Sequence, residues 1–312
     1  MIREKKIKSG KLLEVCYYPV TQTGRAVSRG SPEKITSAAQ EKYNHRQRQK
    51  KIVRLVCANF DESDIFLTLT FKPKDAPADM SEAKKHLRNY LRRIKRYREN
   101  QARNLKKLLK SDSKNEKLKA EFKKASQPMK YLYSIESKTY QRGKRKGEKS
   151  YHFHIFISGT GAGDRDTYEN LWTGIAVAKR YAPEKYGIDA AARYITKMQS
   201  TAQREKCIGC SRNLKKPDEK IKDGKITEGG LARIAKSRMT DSDYWERRNK
   251  NYKFISGKAS YNDINGQWYI SIVMFKGNTP PINIEEWEED ADGSAGAAEG
   301  FQLGSHLGGT VP

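Results

Sequence analysis

The 312-residue chain contains no run of 18 or more apolar residues, no secretory pattern and no GxxxxGK[ST] loop. The first two absences predict a protein that neither spans a bilayer nor is exported, and so a cytoplasmic one. The third excludes an ATP motor of the P-loop kind. Cysteine is scarce as well. Cys16, Cys57, Cys207 and Cys210 are too few and too scattered for a disulfide framework in a chain this long, which fits a reducing compartment. Cys207-Ile-Gly-Cys210 has the spacing of half a zinc site or of a redox pair, but no second CxxC or nearby Cys/His pair completes a tetrahedral set, so two ordinary thiols in a loop are expected.

Acid is scarce over most of the chain and basic residues are missing from its end. Residues 1–276 hold all 63 Lys and Arg but only 30 of the 37 Asp and Glu, a net charge of +33. Seven acids and no Lys or Arg follow Lys276. A folded body of that sign favours a polyanion, nucleic acid before an anionic membrane. From Pro280 the composition is Pro, acid and Gly/Ala, and 280–312 reads as an acidic disordered tail.

Histidine is rare too, five in all, and two of the five stand in Tyr151-His152-Phe153-His154-Ile155-Phe156-Ile157. At the two-residue period of a strand, Tyr151, Phe153, Ile155 and Ile157 share one face, and His152, His154 and Phe156 the other. Two imidazoles at i and i+2 lie roughly 7 Å apart along the strand, close enough to converge on one cation. The alternative is a half-buried strand whose polar face carries two histidines.

Around this stretch the pattern alternates between strands and helices. Residues 11–20 read as a strand, and Ser31-Pro32 as the start of a helix whose apolar stripe runs through Ile35, Ala38, Ala39, Tyr43, Ile52, Val53, Val56 and Cys57. Asp64 to Phe71 reads as a core strand with Thr68 and Thr70 on its second face. Asp79, with Glu82 in the reciprocal position, caps a helix with Ala83, Leu87, Tyr90, Leu91, Ile94 and Tyr97 on its apolar side and basic residues on the rest. A polar helical insertion follows at about 99–126.

Met129 to Ser137 is a second strand, joined to the histidine strand by Lys138 to Ser150, which holds six Lys or Arg and two Gly. This predicts a long hairpin with a cationic tip, in which Glu136 or a neighbour stands beside His152 and His154. Two imidazoles and a carboxylate form an N,N,O donor set. Gly159 to Gly163 reads as a mobile turn. Ile188 to Lys197 reads as a helix with Tyr194 and Lys197 on one face, and this is the only Tyr-x-x-Lys in the chain. Downstream, Ser211 to Pro217 is a basic loop, 229–248 looks helical, and 252–257 and 267–275 look like strands, the latter after the turn pair Asn265-Gly266.

A tyrosine suits phosphodiester cleavage in which the bond energy is kept. The phenol attacks phosphorus and the released 3′-hydroxyl can prime synthesis or rejoin later. An ordinary phenol is a reluctant nucleophile at neutral pH, which a divalent metal on the phosphate and a nearby lysine would address.

The ordered set Phe66-Leu-Thr-Leu-Thr70, His152-Phe-His154 and Tyr194-x-x-Lys197 resembles the HUH endonuclease superfamily, most closely the rolling-circle replication initiators of small phages and plasmids. The resemblance spans about residues 60–200. It implies an α+β fold, a palm with a central antiparallel β-sheet flanked by helices around an RRM-like core. By the same resemblance His152, His154 and an acid best matched by Glu136, with Asp164 or another acid as the alternative, bind Mn²⁺ or Mg²⁺; imidazole ligands favour Mn²⁺. Tyr194 is then the nucleophile and Lys197 its assistant.

The domains expected are 1–60, a strand and a basic helix packing on the core, and 61–279, the endonuclease domain, ahead of the tail. Thr68, Thr70, Arg193, Arg212, Lys215 and Lys216 are the candidate DNA-binding residues, by charge and by nearness to the motifs. The expected partners are single-stranded or hairpin origin DNA and, with no helicase domain in the chain, a host helicase and polymerase in a bacterial cytoplasm. A single tyrosine departs from initiators that carry two. A relaxase or a single-strand transposase of the same superfamily is an alternative, although a relaxase would carry an early tyrosine and a third histidine. From another class, a non-catalytic nucleic-acid binder would use the same basic helices and Tyr-rich strands as phosphate and stacking surfaces.

Overall fold

The computed structural model describes residues 1–20, 38–142, 146–161, 163–182, 207–263 and 265–277. These residues form an α+β architecture of two five-stranded antiparallel sheets and six helices. In chain order they are β1 (Ile2–Ser9), β2 (Leu12–Pro19), α1 (Ala38–Asn59), β3 (Ile65–Thr70), α2 (Met80–Ser111), α3 (Glu116–Ser126), β4 (Tyr131–Thr139) and β5 (Lys149–Ile157). There follow α4 (Asp164–Asn170), β6 (Ile175–Arg180), β7 (Ile208–Cys210), β8 (Asp218–Asp223), α5 (Glu228–Ser237), α6 (Ser242–Arg248), β9 (Lys253–Asn262) and β10 (Gln267–Phe275).

The first sheet has the order β8-β1-β2-β10-β9, so the beginning and the end of the described chain share it. The second has the order β6-β3-β5-β4-β7, which puts the histidine strand β5 in its centre. Helix α1 lies between the sheets. Its Ile52, Val53, Val56 and the following Phe60 pack against Leu12 and Phe275 of the first sheet and against Phe66, Leu132 and Phe156 of the second. Arg54 fixes the helix on the first sheet with a two-pronged contact to Glu14, at 2.5 and 2.9 Å. Tyr43, placed on the apolar stripe by periodicity, is exposed instead. The outer face of the first sheet is closed by Leu231, Ala235 and Trp245 of α5 and α6.

The other face of the second sheet packs on α2. Asp79 Oδ1 accepts the Glu82 N–H at 2.8 Å, and the Glu82 carboxylate reaches back to the N–H of Ala78, one residue before the cap. From there Ala83, Leu87, Tyr90, Leu91 and Ile94 bury a continuous stripe against Leu67, Leu69, Phe153 and Ile155. Each fully buried aliphatic side chain of this kind is worth about 1.5–3 kcal/mol. Because β3 and β5 are covered on both faces, their apolar residues run on nearly without interruption.

Arg98 on α2 is buried and ties four segments together. Its guanidinium donates to the carbonyls of Ser158 and Gly159 after β5, to those of Lys124 and Gln127 at the end of α3, and to the Tyr168 hydroxyl of α4. The residues expected as an insertion at 99–126 thus complete α2 and form α3, joined to the sheet by one arginine. The described part of the 159–163 turn is also held. Gly159 N–H donates to Asp64, and Thr160 and Gly161 N–H donate to Asp164.

Candidate metal and nucleic-acid site

In β5, Tyr151, Phe153, Ile155 and Ile157 join the α2-side core, which turns His152, His154 and Phe156 toward the α1 side. The antiparallel register then builds three cross-strand rows. Phe66, Phe156 and Leu132 form the first, and it is apolar and packed on α1. Thr68, His154 and Ser134 form the second, and Thr70, His152 and Glu136 the third. The face thus passes from core to polar within two strand periods. The hairpin expected from sequence forms, and it sets Glu136 directly opposite His152.

Each imidazole is oriented by a threonine of β3. Thr70 Oγ1 lies 3.0 Å from His152 Nδ1, and Thr68 Oγ1 lies 3.3 Å from His154 Nδ1. His154 stacks near-parallel on Phe66, at 6.3 Å between ring centroids. Its Nε2 is 3.1 Å from Glu136 Oε2. Lys138 Nζ is 2.7 Å from Glu136 Oε1, a charge contact off the hydrogen-bond direction, so that this buried oxygen has no directed partner. His154 and Glu136 are nearly inaccessible, at 2% and 4% exposed, whereas His152 is half-buried.

Two opposed effects set the charge state of Glu136. Burial pushes its pKa up, but the His154 hydrogen bond and the Lys138 ammonium together outweigh this and hold it at about 2. The carboxylate is ionised at neutral pH. Burial pushes His152 below the ordinary histidine value, against the pull of Glu136 and with the help of Lys138 and His154. Its ring is neutral at pH 7, the form that can donate a lone pair to a metal.

The donor types suit a divalent cation, and the threonines stand at Nδ1, the position from which outer hydrogen bonds orient imidazoles in metal sites. The convergence is incomplete. Among the described residues no group of three or more His, Cys, Asp or Glu is placed to hold an ion, and Nε2 of His154 and Oε2 of Glu136 are engaged with each other. Nε2 of His152 has no hydrogen-bond partner among the described residues.

The other candidates are dispersed. Asp164 is wholly buried beyond the far end of β5 and paired with Arg180, on the opposite end of the sheet from His152. Arg212, Lys215 and Lys216 are exposed, but their loop is anchored at the same far end. Asn59 at the end of α1 bonds both the N–H and the carbonyl of Lys215, and Asn213 reaches the carbonyl of Met129. The hydroxyls of Thr68 and Thr70, read from sequence as phosphate contacts, are engaged with the histidine rings. Cys207 is buried in the α2-side core and Cys210 is exposed.

Arg193, Tyr194 and Lys197 lie outside the described residues, as do Ser31-Pro32 and the 280–312 tail. The two described flanks of 183–206 stand on opposite edges of the second sheet, β6 on one and β7 on the other. At the second flank the Cys207 carbonyl accepts the N–H of Ile135, the residue before Glu136. Two residues of the site were not singled out from the sequence. Lys138 and Ser134 stand at i+2 and i−2 from Glu136, so strand alternation alone places them on its face. Compared with protein-family models, with curated proteins and with solved structures, the chain matches none.

Proposed function

We propose that the protein is a rolling-circle replication initiator of the HUH type, which nicks and rejoins single-stranded or hairpin origin DNA through a tyrosine-linked intermediate. The observation that carries this reading is the pair of rows Thr70–His152–Glu136 and Thr68–His154–Ser134 on the central strand of a five-stranded antiparallel sheet. A neutral imidazole, a second imidazole and an ionised carboxylate gathered on a cationic body are what phosphodiester chemistry needs. The α+β layout, an antiparallel sheet with α2 on one face and α1 on the other, supports the reading.

His152, His154 and Glu136 would hold the divalent ion, Mn²⁺ or Mg²⁺, once the His154–Glu136 contact opens. When bound, such an ion supplies Lewis-acid polarisation of the scissile phosphate. Thr68 and Thr70 keep the imidazoles aimed. Lys138 keeps Glu136 ionised. The Tyr194 phenolic oxygen attacks phosphorus and gives up its proton, the 3′ oxygen leaves and is protonated, and the DNA 5′ phosphate stays on the tyrosine. Lys197, one helical turn on in the expected helix, balances phosphate charge. Thirteen positions separate Tyr194 from Cys207, and at up to about 3.3–3.6 Å per residue that length of chain permits the approach to Glu136 that this reading requires. Unwinding and synthesis fall to a host helicase and polymerase in the bacterial cytoplasm.

The test is incubation with labelled single-stranded DNA carrying candidate origin segments, with Mn²⁺ or with EDTA, followed by denaturing electrophoresis. A shifted band that survives denaturation, needs metal and disappears in Tyr194→Phe supports the reading. Cleavage without an adduct refutes the role of Tyr194. Tight, salt-sensitive binding with no reaction across a broad sequence pool would instead support a non-catalytic binder.

A further inference from the structure

Helix α2 has two opposite faces. At about 100° per residue, Ala83, Leu87, Tyr90, Leu91, Ile94 and Leu105 fall within roughly 60° of one line along the helix and are buried. Lys85, Arg88, Arg92, Arg96, Arg103 and Lys107 fall within roughly 60° of the opposite line, and all six are exposed. The helix contains only two acids, Glu82 at its cap and Glu99, which lies 3.8 Å from Lys95. None of the six cations has a carboxylate partner among the described residues. Arg92 and Arg103 contact only the neutral side chains of Asn89 and Asn100.

At 1.5 Å per residue, Lys85 to Lys107 spans about 33 Å, close to one turn of duplex DNA at about 34 Å. The row lies on one continuous helix, whose backbone is held by the buried stripe, the Asp79 cap and Arg98. No aromatic residue stands on it, so bases cannot stack there and only the sugar-phosphate backbone is recognised. Its position separates it from the candidate site, because α2 covers the face of the second sheet opposite to His152, His154 and Glu136.

We propose that the solvent face of α2 is a rail for double-stranded DNA, holding the phosphate backbone over about one helical turn without reading sequence. The inference does not rest on the nicking chemistry.

The experiment measures binding of a random-sequence duplex to the full chain by fluorescence anisotropy from 50 to 200 mM salt. The variant Lys85→Gln/Arg88→Gln/Arg92→Gln/Arg96→Gln is compared with Lys220→Gln/Lys222→Gln/Lys225→Gln/Lys236→Gln, which removes the same charge from exposed positions elsewhere. Each lost phosphate contact shallows the log–log salt slope by about 0.9, so the rail variant is expected to lose about 3 to 4 in slope and at least tenfold in affinity, and the control much less. An unchanged slope overturns the rail, and an equal loss in the control shows net charge alone. Tighter retention on anionic vesicles than on duplex overturns it in favour of a membrane surface. Should the fourfold variant misfold, Arg92→Gln and Arg96→Gln singly are each expected to lower the slope by about 0.9, and no change in either overturns the rail. Tyr194→Phe is expected to retain duplex binding, so failure of the nicking assay and failure of the rail are read separately.

Discussion

The β-ladder sets Glu136 opposite His152, yet the Glu136 carboxylate reaches diagonally to His154, with Oε2 3.1 Å from Nε2. One carboxylate therefore addresses both imidazoles, one by register and one by hydrogen bond. If these three groups hold a divalent ion, Glu136→Gln keeps the shape of the side chain and removes its charge. Mn²⁺ affinity, followed by calorimetry, is expected to fall at least about tenfold, with the fold unchanged by circular dichroism. Equal affinity in wild type and variant would remove Glu136 from the donor set.

The threonine contacts make a second expectation. Thr70→Val keeps the β-branched shape that suits a strand but deletes the hydroxyl 3.0 Å from His152 Nδ1. Loss of such an orienting partner costs about 10–100-fold in metal affinity or activity. The nicking rate and the Mn²⁺ dissociation constant are expected to worsen together by that factor. If Thr70 acts only on phosphate, DNA affinity falls and metal affinity does not.

The depressed pKa of His152 links stability to pH. The unfolded chain takes up a proton on this residue below about 6.5, whereas the folded site resists it. The unfolded state then binds more protons, so stability rises with pH in this range and declines as pH falls below 6.5, until the folded pKa is also passed. Glu136 does not contribute between pH 5.5 and 7.5, since it is ionised in the folded state, where its pKa is about 2, and in the unfolded state alike. Urea denaturation of metal-free protein is expected to show a smaller loss of stability from pH 7.5 to 5.5 in His152→Gln than in wild type. The comparison cancels His45, whose pKa burial also lowers.

Much of this arrangement was legible because the central strands carry their own period. β3, β5 and the apolar stripe of α2 follow from alternation and from 3.6-residue spacing, and the Glu136–His152 pairing follows from the hairpin. β1 and β8 were not legible. Ile2–Ser9 and Asp218–Asp223 are mostly charged, and their pairing is supported by contacts far apart in sequence, Arg3 with Asp223 and Lys5 with Glu219. No local pattern signals strands of that kind, whether at the sheet edge as β8 is or inside it as β1 is. The basic loop at 211–217 was grouped with the site by charge and by nearness in sequence to the motifs, and neither carries information about which end of a sheet a loop adjoins.

Asp164 is the acid that the sequence offered in place of Glu136, and its surroundings give it another task. It is fully buried, and its oxygens accept the N–H groups of Thr160 and Gly161 and the guanidinium of Arg180. Arg180 in turn donates to the carbonyls of Ser63 and Gly161, so one ion pair joins the start of β3, the turn after β5 and the end of β6. Asp164→Asn keeps an acceptor for the amides but strips the charge facing Arg180. Breaking a buried pair costs about 3–5 kcal/mol, and because the Arg180 side chain is one-third exposed the loss is expected nearer about 2–3 kcal/mol. Urea denaturation checks this. The variant is expected to bind Mn²⁺ as wild type does, since Asp164 stands beyond the opposite end of β5 from His152. A drop in Mn²⁺ affinity as large as that in Glu136→Gln would return Asp164 to the donor set and leave Glu136 as a partner of His154 alone.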